Sequence, residues 1–380
     1  MRICFTFILF VVLISCKPRL KNQEKENISE TSTTSKIEFA KGFTIQNLGK
    51  NEIITIHNPW QKAEGVAYQY ILSANDTFPS EIENAIRIKI PVRKIICLST
   101  THLGFINFIG ETDAVVGISG ARYVTNPKIR EKIKQGFVSD IGYEESINYE
   151  LIVRLQPDLV IAYGVSGNET SYLRKIEELG IRVIYIAEYL EENPLAKMEW
   201  VKVFAALFNK EKEISVKFDS VASYYHSLTI KVIQLKQKPS VLLGLPWKGT
   251  WYISGGKSYV AKLISDAGGN YLWKDLDFRD SRPMSLESIY SQALNADFWL
   301  NTGTANSIKD ILEVDKRFEN INAVGKGNIY NYNNLTVKSG GNAYFESGVV
   351  EPEIILEDLI TILHPDVLPS HQLKYYKKLN

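Results

Sequence analysis

Five histidines (His57, His102, His226, His364, His371) and three cysteines (Cys4, Cys16, Cys97) are the side chains best suited to metal or nucleophile chemistry. No two of the histidines form a close pair, and only His102 falls on a loop expected to face a cleft. Directly bound zinc or manganese needs three or four converging His or carboxylate ligands, so no metal site is assigned. Cys97 lies within Ile95-Ile96-Cys97-Leu98, has no neighbouring base, and reads as a small buried hydrophobe. Gly-x-Ser-x-Gly and His-Glu-x-x-His are absent, and Gly255-Gly256-Lys257-Ser258 lacks the earlier glycine of a phosphate-binding loop. Binding chemistry is well supplied: 20 Tyr and 6 Trp can wall a flat or partly apolar ligand, with Arg to match acidic groups. The chain therefore reads as a binder and not an enzyme, with no catalytic residue and no resident cofactor.

The elements that position such residues begin with the N-terminus. Met1-Arg2 precedes an apolar run over residues 3–14 and then Ser15-Cys16. That run is too short to span a bilayer and has the length of a signal-peptide core. Residues 17–36 are rich in Lys, Glu, Asn, Ser and Thr, which suits a flexible tether. Only Cys97 remains in the body of the protein, so no internal disulfide is available. The 380 residues are 45% hydrophobic and 23% charged, with 44 basic and 43 acidic side chains for a net charge of +1. That balance fits a soluble globular body and offers nothing to a nucleic-acid partner.

Residues 53–56 and 66–72 read as strands of a hairpin added to the edge of the first α/β sheet. From Val92 onward strands and helices alternate: strands at 92–98, 114–118, 158–162 and 182–186, helices at 101–109, 147–155 and 171–179. Gly110 and Gly180 stand where helix C-caps belong. A run free of Gly and Pro covers 195–237, and Ile214, Phe218, Val221, Tyr225, Leu228, Val232 and Leu235 make one apolar stripe along it. It predicts a helical spine, with a break at Asn209-Lys210 as the alternative. Strands at 240–244, 251–254, 298–301 and 328–332 and helices at 259–267, 286–294, 308–314 and 348–363 repeat the rhythm. The fold expected is α/β, with two lobes, each a mostly parallel sheet flanked by helices, joined by one long spine helix. The divisions are a signal peptide 1–15, a tether 16–36, an N-terminal β-hairpin extension 37–91, an N-lobe 92–194, the spine 195–238, a C-lobe 239–365 and a C-terminal tail 366–380.

Two resemblances sharpen this. Leu13-Ile14-Ser15-Cys16 resembles the lipobox of bacterial lipoproteins, which implies cleavage before Cys16 and a lipid on its thiol; an ordinary secretory signal is the alternative. Residues 93–363 resemble the siderophore-, haem- and cobalamin-binding proteins of ABC importers. The resemblance is carried by Arg93-Lys94-Ile95-Ile96-Cys97-Leu98-Ser99, Ile147-Asn148-Tyr149-Glu150 and Leu155-Gln156-Pro157-Asp158-Leu159-Val160 in the first half. Ser254-Gly255-Gly256-Lys257-Ser258-Tyr259, Ala267-Gly268-Gly269-Asn270, Ser285-Leu286-Glu287 and Ala296-Asp297 carry it in the second. Gln156 stands where the family has lysine, and residues 38–91 lie outside the common core.

The resemblance implies an exported protein, lipid-anchored to the cell envelope on its periplasmic or extracytoplasmic face and acting as a monomer. It would capture a metal chelate and pass it to an ABC permease and its ATPase. A ferric siderophore-type complex leads, with a corrinoid such as cobalamin or haem as alternatives and a non-transport surface lipoprotein behind them. Glu150 and Glu287 match the positions at which the family presents one carboxylate per lobe to the permease; a first-turn glutamate favoured by the helix dipole is the structural alternative. Ligands of open α/β sheets bind outside the carboxyl ends of strands, so the loops there supply the candidates. They are Ser99, Thr100, His102, Arg122, Tyr123, Tyr163 and Tyr189 from the first lobe. Trp247, Trp251, Arg279 and Tyr344 come from the second, with Tyr252, residues 302–304 and Phe345 beside them.

Overall fold

The computed structural model describes residues 33–34, 36–79, 82, 84–143, 146–164 and 171–380. The signal peptide, Cys16 and most of the tether lie outside the described residues.

Five strands precede the first lobe: β1 (Thr33–Thr34), β2 (Phe43–Leu48), β3 (Asn51–His57), β4 (Ala67–Ser73) and β5 (Ile86–Lys89). They form one sheet in chain order, antiparallel except for the parallel β4/β5 pair. The expected hairpin is present as β3 and β4, but it is the middle of a five-stranded sheet and not an addition to the edge of another. Thr33–Thr34, expected within the tether, pair with β2 through main-chain hydrogen bonds, which every non-proline residue can form whatever its polarity.

Two buried carboxylates fasten this sheet to the rest of the protein. Glu199 is fully buried and accepts the backbone N–H groups of Glu38, Phe39 and Ala40 at 2.9, 2.7 and 2.8 Å. Glu191 accepts those of Lys41 and Gly42 and the indole N–H of Trp200 at 3.0 Å. A charge taken out of water must be hydrogen-bonded, and here successive main-chain amides meet that need. Phe43 packs on Trp200, with ring centroids 4.9 Å apart, and the wholly buried Tyr70 hydroxyl accepts the N–H of Tyr185 at 3.2 Å.

The N-lobe sheet holds β6 (Ile95–Cys97), β7 (Val115–Ile118), β8 (Ser139–Asp140), β9 (Leu159–Ala162) and β10 (Val183–Tyr185), all parallel in the order β10-β9-β6-β7-β8. Every residue of β6, β9 and β10 is buried, the pattern of a parallel sheet covered on both faces. Gly110 and Gly180 take positive φ just past their helices. Glu111 N–H to Ile106 and Gly110 N–H to Asn107 make the first a Schellman cap. Helix Pro127–Lys134 leaves no apolar pattern in the sequence, since only Ile129 of it is buried.

The spine is three helices, Pro194–Glu199, Val201–Leu207 and Glu211–Ile233, and not one unbroken rod. Asn209 adopts φ 56° between the last two, a conformation Asn tolerates and a continuing helix does not. The 23-residue third helix is still long enough, about 35 Å, to bridge the lobes. At its start Lys210 donates to Ile109 of the N-lobe at 2.8 Å, and further along Tyr225 donates to Asp266 of the C-lobe at 2.8 Å. Ile214, Phe218, Ala222, Tyr225, Leu228 and Val232 form its buried stripe.

The C-lobe contains β11 (Ser240–Leu243), β12 (Thr250–Ser254), β13 (Asn270–Tyr271), β14 (Ser281–Ser285), β15 (Phe298–Leu300), β16 (Ile329–Asn331) and β17 (Lys377–Lys378). Its sheet runs β13-β11-β15-β16-β17, parallel except for β17, while β12 and β14 form a separate antiparallel ribbon. The expected C-terminal tail is thus part of the lobe. Tyr375 and Tyr376 are buried, and fully buried Asp358 accepts the N–H groups of Lys374, Tyr375 and Tyr376 at 2.9, 2.7 and 3.0 Å.

Candidate functional site

The carboxyl ends of β6 to β10 carry the N-lobe candidates along one edge. Ser99 caps helix Thr100–Phe108, its hydroxyl accepting from Thr101 N–H at 3.2 Å, and both Ser99 and Thr100 are half-buried. After β7, Gly120 turns at φ 72° and presents Arg122 and Tyr123; the guanidinium lies 4.6 Å from the Tyr123 ring centroid and donates to its hydroxyl. Asp140, at the end of β8, holds this region by accepting the N–H groups of Gly120, Ala121 and Gly142 at 3.3, 3.1 and 3.1 Å. That arrangement delivers Tyr143, which sequence reasoning missed, with its hydroxyl 3.5 Å from that of Tyr163. Tyr189 donates to the Gly164 carbonyl. Four tyrosines and an arginine therefore line one rim.

His102 does not join them. Its side chain is 1% exposed inside the lobe, between Tyr163 and Phe204, and burial lowers its pKa to about 3 against a weaker opposing hydrogen bond to Ile161. It faces inward because it sits on the core side of helix Thr100–Phe108, so it does not belong to the ligand set. Cys97 is also buried, and desolvation pushes its thiol pKa up.

In the C-lobe, Trp247 precedes a two-residue turn in which Lys248 and Gly249 both have positive φ, the primed geometry that matches strand twist. Trp247 is 64% exposed and Tyr252, on β12, is 51% exposed. Trp251 alternates to the opposite face, where it is fully buried, stacked on Trp299 and donating to Leu243 at 2.9 Å. It is a core residue, and strict alternation along β12 explains why. Tyr344 is likewise interior, stacked on Tyr332 and hydrogen-bonded to Tyr259 at 2.6 Å, while Phe345 beside it is exposed. Thr302 is buried; Gly303 and Thr304 are exposed.

Contacts tie the two lobes together at two places. At one end Arg279 donates to the Leu190 carbonyl at 3.4 Å. At the other, Ser339 donates to the Arg122 carbonyl, and a Cβ on Gly341 would meet the Tyr123 carbonyl oxygen at 2.0 Å, so only glycine allows this approach. Buried Glu346 adds a latch, accepting Thr125 and Asn126 N–H groups at 2.7 Å each. Near the Arg279 end a cleft of about 270 Å³ is lined by Tyr189, Arg279, Tyr259 and Ser281, with Gln61 from the N-terminal sheet. Trp60 of the same loop reaches Gly164 and Tyr185. Neither Trp60 nor Gln61 is a sequence candidate; the Asn58-Pro59 turn before them is the available signal.

Glu150 and Glu287 occupy equivalent places. Each is exposed and second in its helix, after the N-caps Asn148 and Ser285, whose side chains accept from Leu151 N–H at 2.9 Å and Ser288 N–H at 3.3 Å. Neither carboxylate has an ion-pair partner among the described residues. No group of three or more His, Cys, Asp or Glu side chains among the described residues could hold a metal ion. Among them, too, no helix is long and apolar enough to cross a membrane.

Comparison with known proteins agrees with this architecture. The family pattern described as periplasmic binding protein matches residues 95–335. An uncharacterized lipoprotein of Methanocaldococcus jannaschii is 26% identical over 376 residues, 93% of this chain and 87% of its own length. A vitamin B12-binding protein of Vibrio campbellii is 23% identical over 279 residues, covering 61% of this chain and 91% of its own. Among solved structures, an ABC transporter substrate-binding protein from Listeria monocytogenes superimposes with a TM-score of 0.53 at 17% identity, covering 72% of this chain and 99% of that one.

Proposed function

The chain belongs to the periplasmic binding protein family, and from that premise we propose that it captures a ferric siderophore-type chelate in the inter-lobe groove for an ABC importer. The ligand is carried cargo and not a resident cofactor. The observation that carries the choice of ligand is the rim of Tyr123, Tyr143, Tyr163 and Tyr189 with Arg122 and Arg279 at the two ends. Tyrosine faces and hydroxyls pack a chelate's organic shell, and guanidinium groups pair with its acidic groups. With Trp251 and Tyr344 in the core, tyrosine and arginine outweigh indole and phenyl on this surface. Glu150 and Glu287 are the docking carboxylates, one per lobe, and a lipid on Cys16 is the membrane anchor.

A corrinoid is the second reading, favoured by the likeness to the vitamin B12-binding protein of Vibrio campbellii. Titration of the purified protein with ferric siderophores, cobalamin and haem, read by tryptophan fluorescence and calorimetry, tests both. Sub-micromolar binding of a ferric siderophore, with cobalamin and haem weaker by at least tenfold, is the expected result. Preference for cobalamin would move the assignment to the corrinoid, and no binding by any of them would remove the capture reading.

A further inference from the structure

Beside the groove lies a larger chamber of about 770 Å³, inside the usual range for small-molecule sites. Its walls come from three places: the segments that flank the N-terminal sheet just before β2 (39–42) and at and after the end of β3 (57–63), the segment 187–196 at the start of the spine, and C-lobe residues 256–279. It shares Leu190, Glu191, Ser258 and Arg279 with the 270 Å³ cleft at the groove's end, so the two spaces adjoin. The first wall lies outside the residues matched by the family pattern, which begins at 95.

The charge in this chamber is uneven. Lys41, Lys257, Lys262, Lys274 and Arg279 face Glu191, Glu192 and Asp275. Glu191 is already occupied by two backbone amides and an indole N–H, and Glu192 pairs with Lys41 at 3.6 Å. Lys257 and Lys262 pair with Asp277 and Asp266. Lys274 and Arg279 have no carboxylate partner among the described residues. Lys274 inside the chamber and Arg279 at its junction with the cleft thus stand without an ion-pair partner, beside Asp275, which among the described residues has none either.

We propose that the N-terminal sheet is a third wall of the binding site, and that the chamber it closes takes an anionic arm, carboxylate or phosphate, of the chelate held in the groove. This rests on the reading of the groove as the chelate site. The metal-bearing body lies against the tyrosine rim, and the arm passes Arg279 to reach Lys274, with Lys41, paired to Glu192, on the opposite wall just before β2. Because these side chains are exposed, each contributes modestly and is screened by salt, so selectivity comes from the pair.

The test uses two matched pairs of ligands on the full chain. Ferric aerobactin bears free carboxylates and ferrichrome bears none; cobalamin bears a phosphate in its nucleotide loop and cobinamide lacks it. The variant Lys274→Glu, at the unpaired lysine of the chamber, should bind the anionic member of the bound pair at least about threefold more weakly at low salt, with the effect shrinking in 0.5 M salt. Affinity for the member that lacks the anionic group should not fall by more than twofold. Equal loss for both members, or loss for neither, overturns the third-wall proposal while leaving the groove reading intact. If the wild-type chain binds no member of either pair, the groove reading fails and takes this one with it.

Discussion

Replacing Glu199 with alanine tests how the N-terminal sheet is held. The carboxylate is fully buried, accepts three consecutive main-chain N–H groups at 2.7–2.9 Å, and receives Lys202 at 2.7 Å. Hydrogen bonds to a charged group contribute about 1.5–3 kcal/mol each, but they do not add in full, because the freed amides of residues 38–40 regain water when the segment peels away. A loss of about 3 kcal/mol in the free energy of local opening is therefore expected, some 150-fold in the opening equilibrium. Amide hydrogen exchange reads this directly. Phe39 and Ala40 lose their acceptor, so the informative amides are Lys41 and Gly42, which keep Glu191. If residues 38–42 open as a unit, both accelerate at least tenfold. Glu199→Gln, which keeps one carbonyl oxygen, should fall between wild type and alanine. Protection of Lys41 and Gly42 within threefold of wild type would refute the idea that the two carboxylates act as one clamp.

His102 has a folded pKa near 3, below its ordinary value near 6.5, so its contribution to stability is complete above pH 6.5 and is lost as pH falls toward 3, by about 1.4 kcal/mol per unit. Urea midpoints between pH 7 and pH 4 should therefore fall faster for wild type than for His102→Leu; parallel profiles would contradict the assignment. Trp251→Ala should cost about 3–5 kcal/mol in chemical denaturation with little change in chelate affinity of the folded protein. Trp247→Ala should do the reverse, leaving stability within about 0.5 kcal/mol and weakening the chelate. Glu150→Arg with Glu287→Arg should leave chelate affinity unchanged and reduce stimulation of the permease ATPase at least tenfold in proteoliposomes, whereas full stimulation would assign both carboxylates to helix stabilisation alone.

What can be read from residues alone follows the physics of burial. β6, β9 and β10 are apolar throughout because both faces are covered, and their helices end at Gly110 and Gly180, so the N-lobe is legible almost strand by strand. The spine reads as longer than it is because Trp200, Phe204 and Phe208 carry apolar periodicity across points where the backbone breaks; the left-handed Asn209 is the local mark. The segment leading into β2 and the one leading into the C-terminal strand escape such a reading since they are held by carboxylates reaching from Glu191, Glu199 and Asp358. For Lys41 that partner is 150 residues away, and for Lys374 it is 16, separations that no local pattern spans. Loop position nominates Arg122, Tyr123, Tyr163, Tyr189 and Arg279 as candidates, while it cannot separate Trp247 from Trp251, where side-chain alternation decides.

The shortness of the outermost strands has a consequence for solubility. β1, β8, β13 and β17 are each two residues long, and β17 places Lys377 and Lys378 along the border of the C-lobe sheet. A neighbouring chain would find too few free amides and carbonyls there to continue the ladder, and would meet two positive charges as it tried. Four of the six borders of the three five-stranded sheets, including both borders of the C-lobe sheet, are in this way poor templates for copies to stack on.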